Sequence, residues 1–344
     1  MYGPKTVNKQ TGKRVSLYEP RVSIVIPVFN VAAYIAETLD SVLAQSYRDY
    51  EVIVVNDGSE DTEFLEKELE PYFDSIVYIK QDNYGASSAR NAAIWAARGS
   101  LLAFLDGDDH WLPSYLSDQL EFLDSKDLDM VYCDAYLFGE NQSGKETYMD
   151  QSPSDGAVTP ESLISWTCNV ITSGTIVKKH LIEEARFFDL RLRTHQDFDM
   201  WFNLAKRGAR IGYQRKVLAK YRVRTSGLSG SGVERAERNI SSLEWTARKY
   251  ELTVSERAAW QKEHDDSWAV LALEKAKHCV ALKEYTEAAS HLTEANSYFR
   301  KQKLAILISL LRICPLMVRE IFKRLRPAEF AVFTSEGTVP HTHA

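Results

Sequence analysis

An apolar run, Leu101-Leu102-Ala103-Phe104-Leu105, stops abruptly at Asp106-Gly107-Asp108-Asp109, three carboxylates around one glycine. Crowding like charges at the end of a buried strand is unfavourable without a compensating cation. Residues two apart in an extended chain share a face, so Asp106 and Asp108 can aim at one point. Hard oxygen ligands suit Mg²⁺ or Mn²⁺, which keep several waters and share their coordination with phosphates. Two readings follow. One is a divalent metal with a phosphorylated ligand at the carboxyl end of a sheet strand; the other is an acidic turn capping the helix that begins near Pro113.

The elements that must position these acids alternate. Residues 22–27 (VSIVIP) form an apolar strand ending in proline, and Asn30 offers an N-cap for a helix with Ile35, Leu39, Val42 and Leu43 at helical spacing. A second strand, 51–55, ends in Asn56-Asp57-Gly58-Ser59 and turns into a helix over 61–72. A third strand covers 76–80; a loop through Asn83-Tyr84-Gly85 then opens an alanine-rich helix over 87–98, stopped by Gly99. Strands alternating with 10–15-residue helices predict an α/β fold with a mostly parallel sheet. Ligands of such sheets bind beyond the carboxyl ends of the strands, where the strand order reverses. Asp57 and Asp106 each follow a strand of their own, and that agreement favours the ligand reading. After a strand over 130–138 comes a polar excursion at 139–160, then a strand over 171–177, a helix over 197–207, a strand pair within 209–223 and a Gly/Ser-rich segment at 225–233.

Bulk properties narrow the class. The 344 residues exceed a usual single domain, and 44% hydrophobic with 26% charged residues is ordinary for a globular protein. A net charge of −6 argues against a general nucleic-acid binder. Cys133, Cys168, Cys279 and Cys314 show no C-x-x-C spacing, which fits a reduced, cytoplasmic compartment without structural zinc. Residues 1–20 are polar, with Lys5, Lys9, Lys13 and Arg14, and read as a flexible tail; no stretch reaches the ~20 apolar residues that span a bilayer.

In order and spacing, VSIVIPVFN (22–30), VVNDGS (54–59), GASSARN (85–91), LDGDD (105–109) and QDFDMW (196–201) resemble a family 2 glycosyltransferase with the GT-A (Rossmann-like) fold. The resemblance covers residues 20–225 and implies a domain over 21–233 followed by a helical extension over 234–344. It implies that Pro27, with neighbours Val28 and Asn30, forms the floor beneath the nucleotide base, and that Asp57 accepts a hydrogen bond from the base. Arg90 then contacts base or phosphates, Asp106 reaches ribose or metal, and Asp108 ligates a cation that bridges the diphosphate. Asp109 either joins them or caps the next helix. Asp197 matches the family's general base, the second of an acidic pair whose first member is Gln196 here. Asp199 is expected to be surface or structural, Trp201 to be core or an acceptor platform, and His195 a surface residue or an acceptor contact. The family's Tyr-Arg-x-His reads Tyr221-Arg222-Val223-Arg224 here; an arginine cannot ligate a cation but can neutralise diphosphate. The implied activity is metal-dependent inverting transfer of a sugar from a nucleoside-diphosphate donor, a UDP-sugar first, to a saccharide or lipid-linked hydroxyl. Two other readings remain: a degenerate sugar-binding scaffold, and a nucleotidyltransferase, which would need a basic, glycine-rich loop that Pro27-Val28-Phe29-Asn30 lacks.

Beyond residue 234 the chain reads as helix. Ala276, Leu282, Tyr285, Ala288, Leu292 and Ala295 resemble a single tetratricopeptide-like helix pair, too little for a solenoid and expected to pack against the catalytic domain. Residues 301–326 hold seven Lys/Arg and one Glu around Leu304, Ile306, Leu307, Ile308, Leu310 and Leu311. They read as an interfacial helix on the inner face of an anionic membrane or as a buried packing helix.

Overall fold

Nine strands form one sheet: β1 (Asn8–Gln10), β2 (Val22–Val28), β3 (Tyr50–Asp57), β4 (Ile76–Gln81), β5 (Leu101–Phe104), β6 (His110–Trp111), β7 (Met130–Gly139), β8 (Thr175–Lys178) and β9 (Ile211–Val223), in spatial order β1-β4-β3-β2-β5-β8-β7-β9-β6. The computed structural model describes residues 8–10, 19–140, 147–224 and 232–336, so most of the expected tail and of the Gly/Ser-rich segment lies outside the described residues. Two compact units divide the chain, Met1–Arg224 and Thr225–Ala344.

In the first unit β4, β3, β2 and β5 run parallel, β8 lies antiparallel between β5 and β7, and β7 pairs in parallel with β9. The chain steps from β2 outward to β3 and β4, then returns to β5 on the other side of β2. That reversal opens a crevice at the carboxyl ends of β2 and β5, where Asp106 follows β5 and Asp57 closes neighbouring β3. Val22, Ile24, Val25 and Ile26 are fully buried, as expected for a strand covered on both faces. The helix Ala32–Leu43 buries Ile35, Leu39 and Val42 against it, in the spacing the sequence shows.

Three local expectations are corrected. Asn30 does not cap that helix: Val31 is the N-cap, without a side-chain bond, while Asn30 adopts φ 53° and accepts from the Glu60 N–H at 2.8 Å. The strand pair within 209–223 is one 13-residue strand, β9, because pairing with β7 continues past irregularities at Cys133–Asp134–Ala135. Of the strand expected over 171–177 only Thr175–Lys178 is extended, since Thr172–Gly174 forms a 3₁₀ turn.

The second unit contains Gly232–Lys249, Val254–Leu282, Tyr285–Phe299, Gln302–Ile313, Pro315–Leu325 and Pro327–Glu336. Thr253 and Glu256 form a capping box, and Lys283 ends the long helix in left-handed conformation. Ala276, Val280, Ala288, Ala289, Leu292, Ile308, Leu311 and Val318 share one core. The apolar run after Lys301 is thus divided: Ile308 and Leu311 are buried, whereas Ile306, Leu310 and Ile313 are exposed.

Gly58 sits at φ +69°, and a Cβ there would lie 2.5 Å from the Asn83 nitrogen. Gly58→Ala should lower unfolding free energy by about 1–3 kcal/mol, read as a reduced denaturant midpoint at unchanged m-value.

Candidate active site

The acidic turn after β5 is built around Gly107. A Cβ there would meet Val28 Cγ1 at 2.7 Å, and the Gly107 carbonyl accepts from Thr38 Oγ1 at 3.1 Å. Val28 is buried in the core, so it supports this turn from beneath. With the backbone so fixed, the three carboxylates diverge, and each finds its own counter-charge or donors.

Asp106, the most open of them, takes Arg90 Nη2 at 2.8 Å. Asp108 takes Arg224 Nε at 2.9 Å. Burial and then Asp106 push the Asp108 carboxyl above its ordinary range, with Arg224 opposing them. Asp109 is 1% exposed and accepts from Ser173 Oγ and, at 2.8 Å, from the Arg222 N–H. Burial and the two neighbouring acids push its carboxyl well up. Asp109 does not cap the following helix, Tyr115–Ser125, whose N-cap is Ser114; it fastens the turn to β9 and to the Thr172–Gly174 turn.

Arg222 is the fixed member of the arginine set. Its guanidinium lies between the rings of Tyr34 and Phe138, at 4.3 and 4.4 Å. Nε donates to the Asp108 carbonyl at 2.9 Å and Nη2 to Glu37 at 2.6 Å. Arg90 is held differently. The helix Ala86–Ala96 starts at Gly85 (φ 91°) and turns Arg90 inward, where it is 5% exposed and not solvated. Its Nε and Nη1 have no hydrogen-bond partner among the described residues. A buried guanidinium with idle donors is a ready anion site.

Asp57 is 3% exposed and accepts from Gln81 Nε2 at 2.6 Å, the Tyr84 N–H at 3.0 Å and the Gly85 N–H at 2.8 Å. Burial raises its carboxyl; those three donors oppose the shift. Asp57 therefore shapes the loop that starts the Arg90 helix and retains spare acceptor capacity on a carboxylate with about four lone-pair sites. Pro27 is half-buried at the end of β2, and Asn30 is exposed beyond it.

Asp197 lies in the first turn of the helix Gln196–Lys206, and its Oδ2 accepts from Thr172 Oγ1 at 2.9 Å. Asp199 is buried, not a surface residue, and Gln196 is buried beside it. Trp201 is core, edge-on to Phe104 and Phe188. His195 adopts φ 55° as the helix N-cap and leans on Trp166. The residues that sequence reasoning missed are Thr172, Ser173 and Arg222. Ser173 Oγ accepts from the Asp106 N–H at 3.2 Å and donates to Asp109; Trp111 Nε1 and Gln119 Nε2 grip the carbonyls of Ser173 and Gly174 at 2.6 and 2.8 Å. One short turn so joins the acids after β5 to Asp197, and nothing in the spacing of ITSG at 171–174 marks it.

Among the described residues, no three or more His, Cys, Asp or Glu converge as a metal cage. The donor set nevertheless fits a hard divalent cation that takes one or two carboxylates and completes its shell with water and phosphate oxygens. Asp108 is the fitting ligand, with Asp106 beside it.

Comparison with known proteins bears on the family and the fold. The family model described as Glycosyl transferase family 2 matches residues 23–184. A glycosyltransferase of Rickettsia prowazekii, itself uncharacterized, is 32% identical over 226 residues, which are 64% of this chain and 70% of the relative. UDP-Glc:alpha-D-GlcNAc-diphosphoundecaprenol beta-1,3-glucosyltransferase WfaP of Escherichia coli is 27% identical over 61% of this chain and 80% of its own. The mannosyltransferase PcManGT of Pyrobaculum calidifontis, solved with GDP-Man and Mn²⁺, superposes with a TM-score of 0.59 at 18% identity, over 91% of this chain and 89% of that one.

Ser173→Ala would leave buried Asp109 with one donor fewer and the Asp106 N–H without its acceptor. The expected loss is about 1–3 kcal/mol of stability, measured by urea unfolding.

Proposed function

The chain belongs to the family 2 glycosyltransferases, and on that premise we propose that it moves a sugar from a nucleoside-diphosphate donor to a hydroxyl acceptor, with inversion at the anomeric carbon. The observation that carries this reading is the bridge of Thr172 and Ser173, which sets a carboxylate, Asp197, beside the acidic turn that ends β5. Asp197 is the general base. It takes the proton of the acceptor hydroxyl while Thr172 holds its other face, and base catalysis of this kind contributes ~10²–10⁴-fold. With one carboxylate base and no enzyme nucleophile, a single displacement inverts the reacting centre. Pro27 and Asn30 border the base of the nucleotide, with Val28 supporting them from the core, and Asp57 accepts from it. Asp106 faces the ribose or the cation, and the idle donors of Arg90 and the guanidinium of Arg224 face the diphosphate. Asp108 would hold a divalent cation, Mg²⁺ or Mn²⁺, which when bound would supply Lewis-acid stabilisation of the departing diphosphate.

A UDP-sugar is the first donor to test, since the relative from Escherichia coli is named for UDP-Glc, with a GDP-sugar second after PcManGT. Asp197→Asn should keep nucleotide binding and lower turnover at least ~100-fold, in an assay with UDP-, GDP- and dTDP-sugars and Mn²⁺, with excess chelator abolishing wild-type activity. Thr172→Val should depress kcat with donor KM unchanged, and Thr172→Ser should restore it. Loss of donor affinity with turnover intact in Asp197→Asn would reassign that acid to the donor side.

The acceptor is proposed to be a lipid-linked or surface saccharide met at the inner face of an anionic membrane. No helix among the described residues is long and apolar enough to cross a bilayer. Instead, Ile306, Leu310, Ile313, Leu316, Met317, Ile321 and Leu325 are exposed on two successive helices, among Lys301, Lys303, Arg312, Lys323, Arg324 and Arg326. Each such cation contributes ~1 kcal/mol near an anionic surface, screened by salt. Full-length protein should co-sediment with vesicles rich in anionic lipid at low salt, and replacing the exposed Leu316, Ile321 and Leu325 by serine should weaken this while activity on a water-soluble acceptor survives. Co-sedimentation unchanged by those substitutions would remove the membrane reading alone.

A further inference from the structure

Of the three arginines around the acidic turn, two are immobilised. Arg90 is buried in the helix Ala86–Ala96, and Arg222 is clamped between Tyr34 and Phe138 with Glu37 and the Asp108 carbonyl on its nitrogens. Arg224 is different. It follows the last residue of β9, is partly exposed, and has Asp108 as its one ion-pair partner among the described residues, with the Tyr34 ring 5.8 Å away. The backbone that carries Asp108 is fixed, since its carbonyl is tied to Arg222 and the turn is closed by the Asp109 N–H on the Asp106 carbonyl at 3.1 Å.

We propose that Arg224 is the resident counter-ion of the cation site, excluding a divalent cation from Asp108 until a donor diphosphate draws the guanidinium away. This rests on Asp108 being the cation's carboxylate, as assigned under Proposed function. The guanidinium on Asp108 Oδ2 neutralises the charge that would attract a metal, and a cation at that point repels a dication. A diphosphate offers the guanidinium a bidentate partner of higher charge, with shorter and stronger hydrogen bonds than one carboxylate oxygen. Once Arg224 has moved to the phosphates, Asp108 is bare and a cation is attracted to both. Cation and donor therefore bind together and poorly apart, and the coupling is reciprocal.

The test is Mn²⁺ titration of the full-length protein by calorimetry, alone and with saturating UDP or GDP. In the wild type, the better nucleotide should tighten Mn²⁺ binding about tenfold or more, within the usual span of coupling between sites. Arg224→Gln should bind Mn²⁺ alone about tenfold more tightly than wild type and lose most of the nucleotide's help, while Arg224→Lys, which keeps the charge, should stay close to wild type. Mn²⁺ affinity in Arg224→Gln equal to or below that of wild type overturns the counter-ion role. Asp108→Asn separates this from the underlying reading: if, with saturating nucleotide, that variant binds Mn²⁺ as wild type does, Asp108 is not the cation's carboxylate and both fall together. Thermal unfolding of each variant, with titrations run well below its unfolding midpoint, ensures that binding and not folding is read.

Discussion

Three carboxylates on four consecutive residues at the end of a buried strand repel one another, and the rest of the first unit is arranged to answer that repulsion. Arg90 arrives from the helix after β4, Arg222 and Arg224 from the end of β9, and Ser173 from the turn before β8. None of these groups is near the turn in sequence. The acidic cluster is thus compensated only when both halves of the sheet have come together. Gly107 permits it, since a side chain there would collide with Val28 and push the turn off its strand. Burial makes the demand stringent: Asp109, fully enclosed, is raised far above its ordinary range, and two hydrogen-bond donors hold it against that pull.

The same demand fixes the surroundings of Asp197. A hydroxyl group, Ser173 Oγ, anchors the acidic turn, and the preceding residue, Thr172, anchors Asp197. Adjacent residues of a 3₁₀ turn cannot move independently, and Trp111 and Gln119 hold that turn by its carbonyls. The acidic turn after β5 and Asp197, the proposed donor and acceptor sides, are therefore coupled through one pinned segment of backbone. Positioning of this sort is valuable because misplacing reacting groups by about 1 Å can cost ~10² in rate.

The alternation of buried strands and amphipathic helices was legible because period and apolar content are local properties. So were the acids at strand ends: Asp57, Asp106 and Asp108 stand where an abrupt change from apolar to charged marks a carboxyl terminus facing a crevice. What the chain did not disclose is how these acids are partnered. Ser173 and Thr172 sit in an unremarkable polar stretch, and their roles depend on a β8 that runs antiparallel to its neighbours, a long-range pairing with no signature in ITSG. Asn30 misled for a related reason. Its type suits an N-cap, but the chain enters the helix through a left-handed residue whose side chain is needed by the Glu60 N–H. Arg222 resembled half of a motif; only the sheet register, which sets it opposite Phe138, explains the ring stack that fixes it.

Charge balance gives the site its character. The Arg222 guanidinium pairs with Glu37 and only its backbone N–H reaches Asp109, whereas Arg90 and Arg224 neutralise Asp106 and Asp108, so that pair of acids is balanced as it stands. A lone dication or a lone diphosphate would each leave it unbalanced by about two charges in a partly desolvated crevice, where Coulomb energies at ~4 Å reach about 4 kcal/mol per unit pair. Entering together, the two ligands cancel and leave the balance intact. A cluster in which carboxylates outnumbered arginines would favour the cation first, and one with surplus arginines would favour the nucleotide. The two matched pairs found here, Arg90 with Asp106 and Arg224 with Asp108, favour neither.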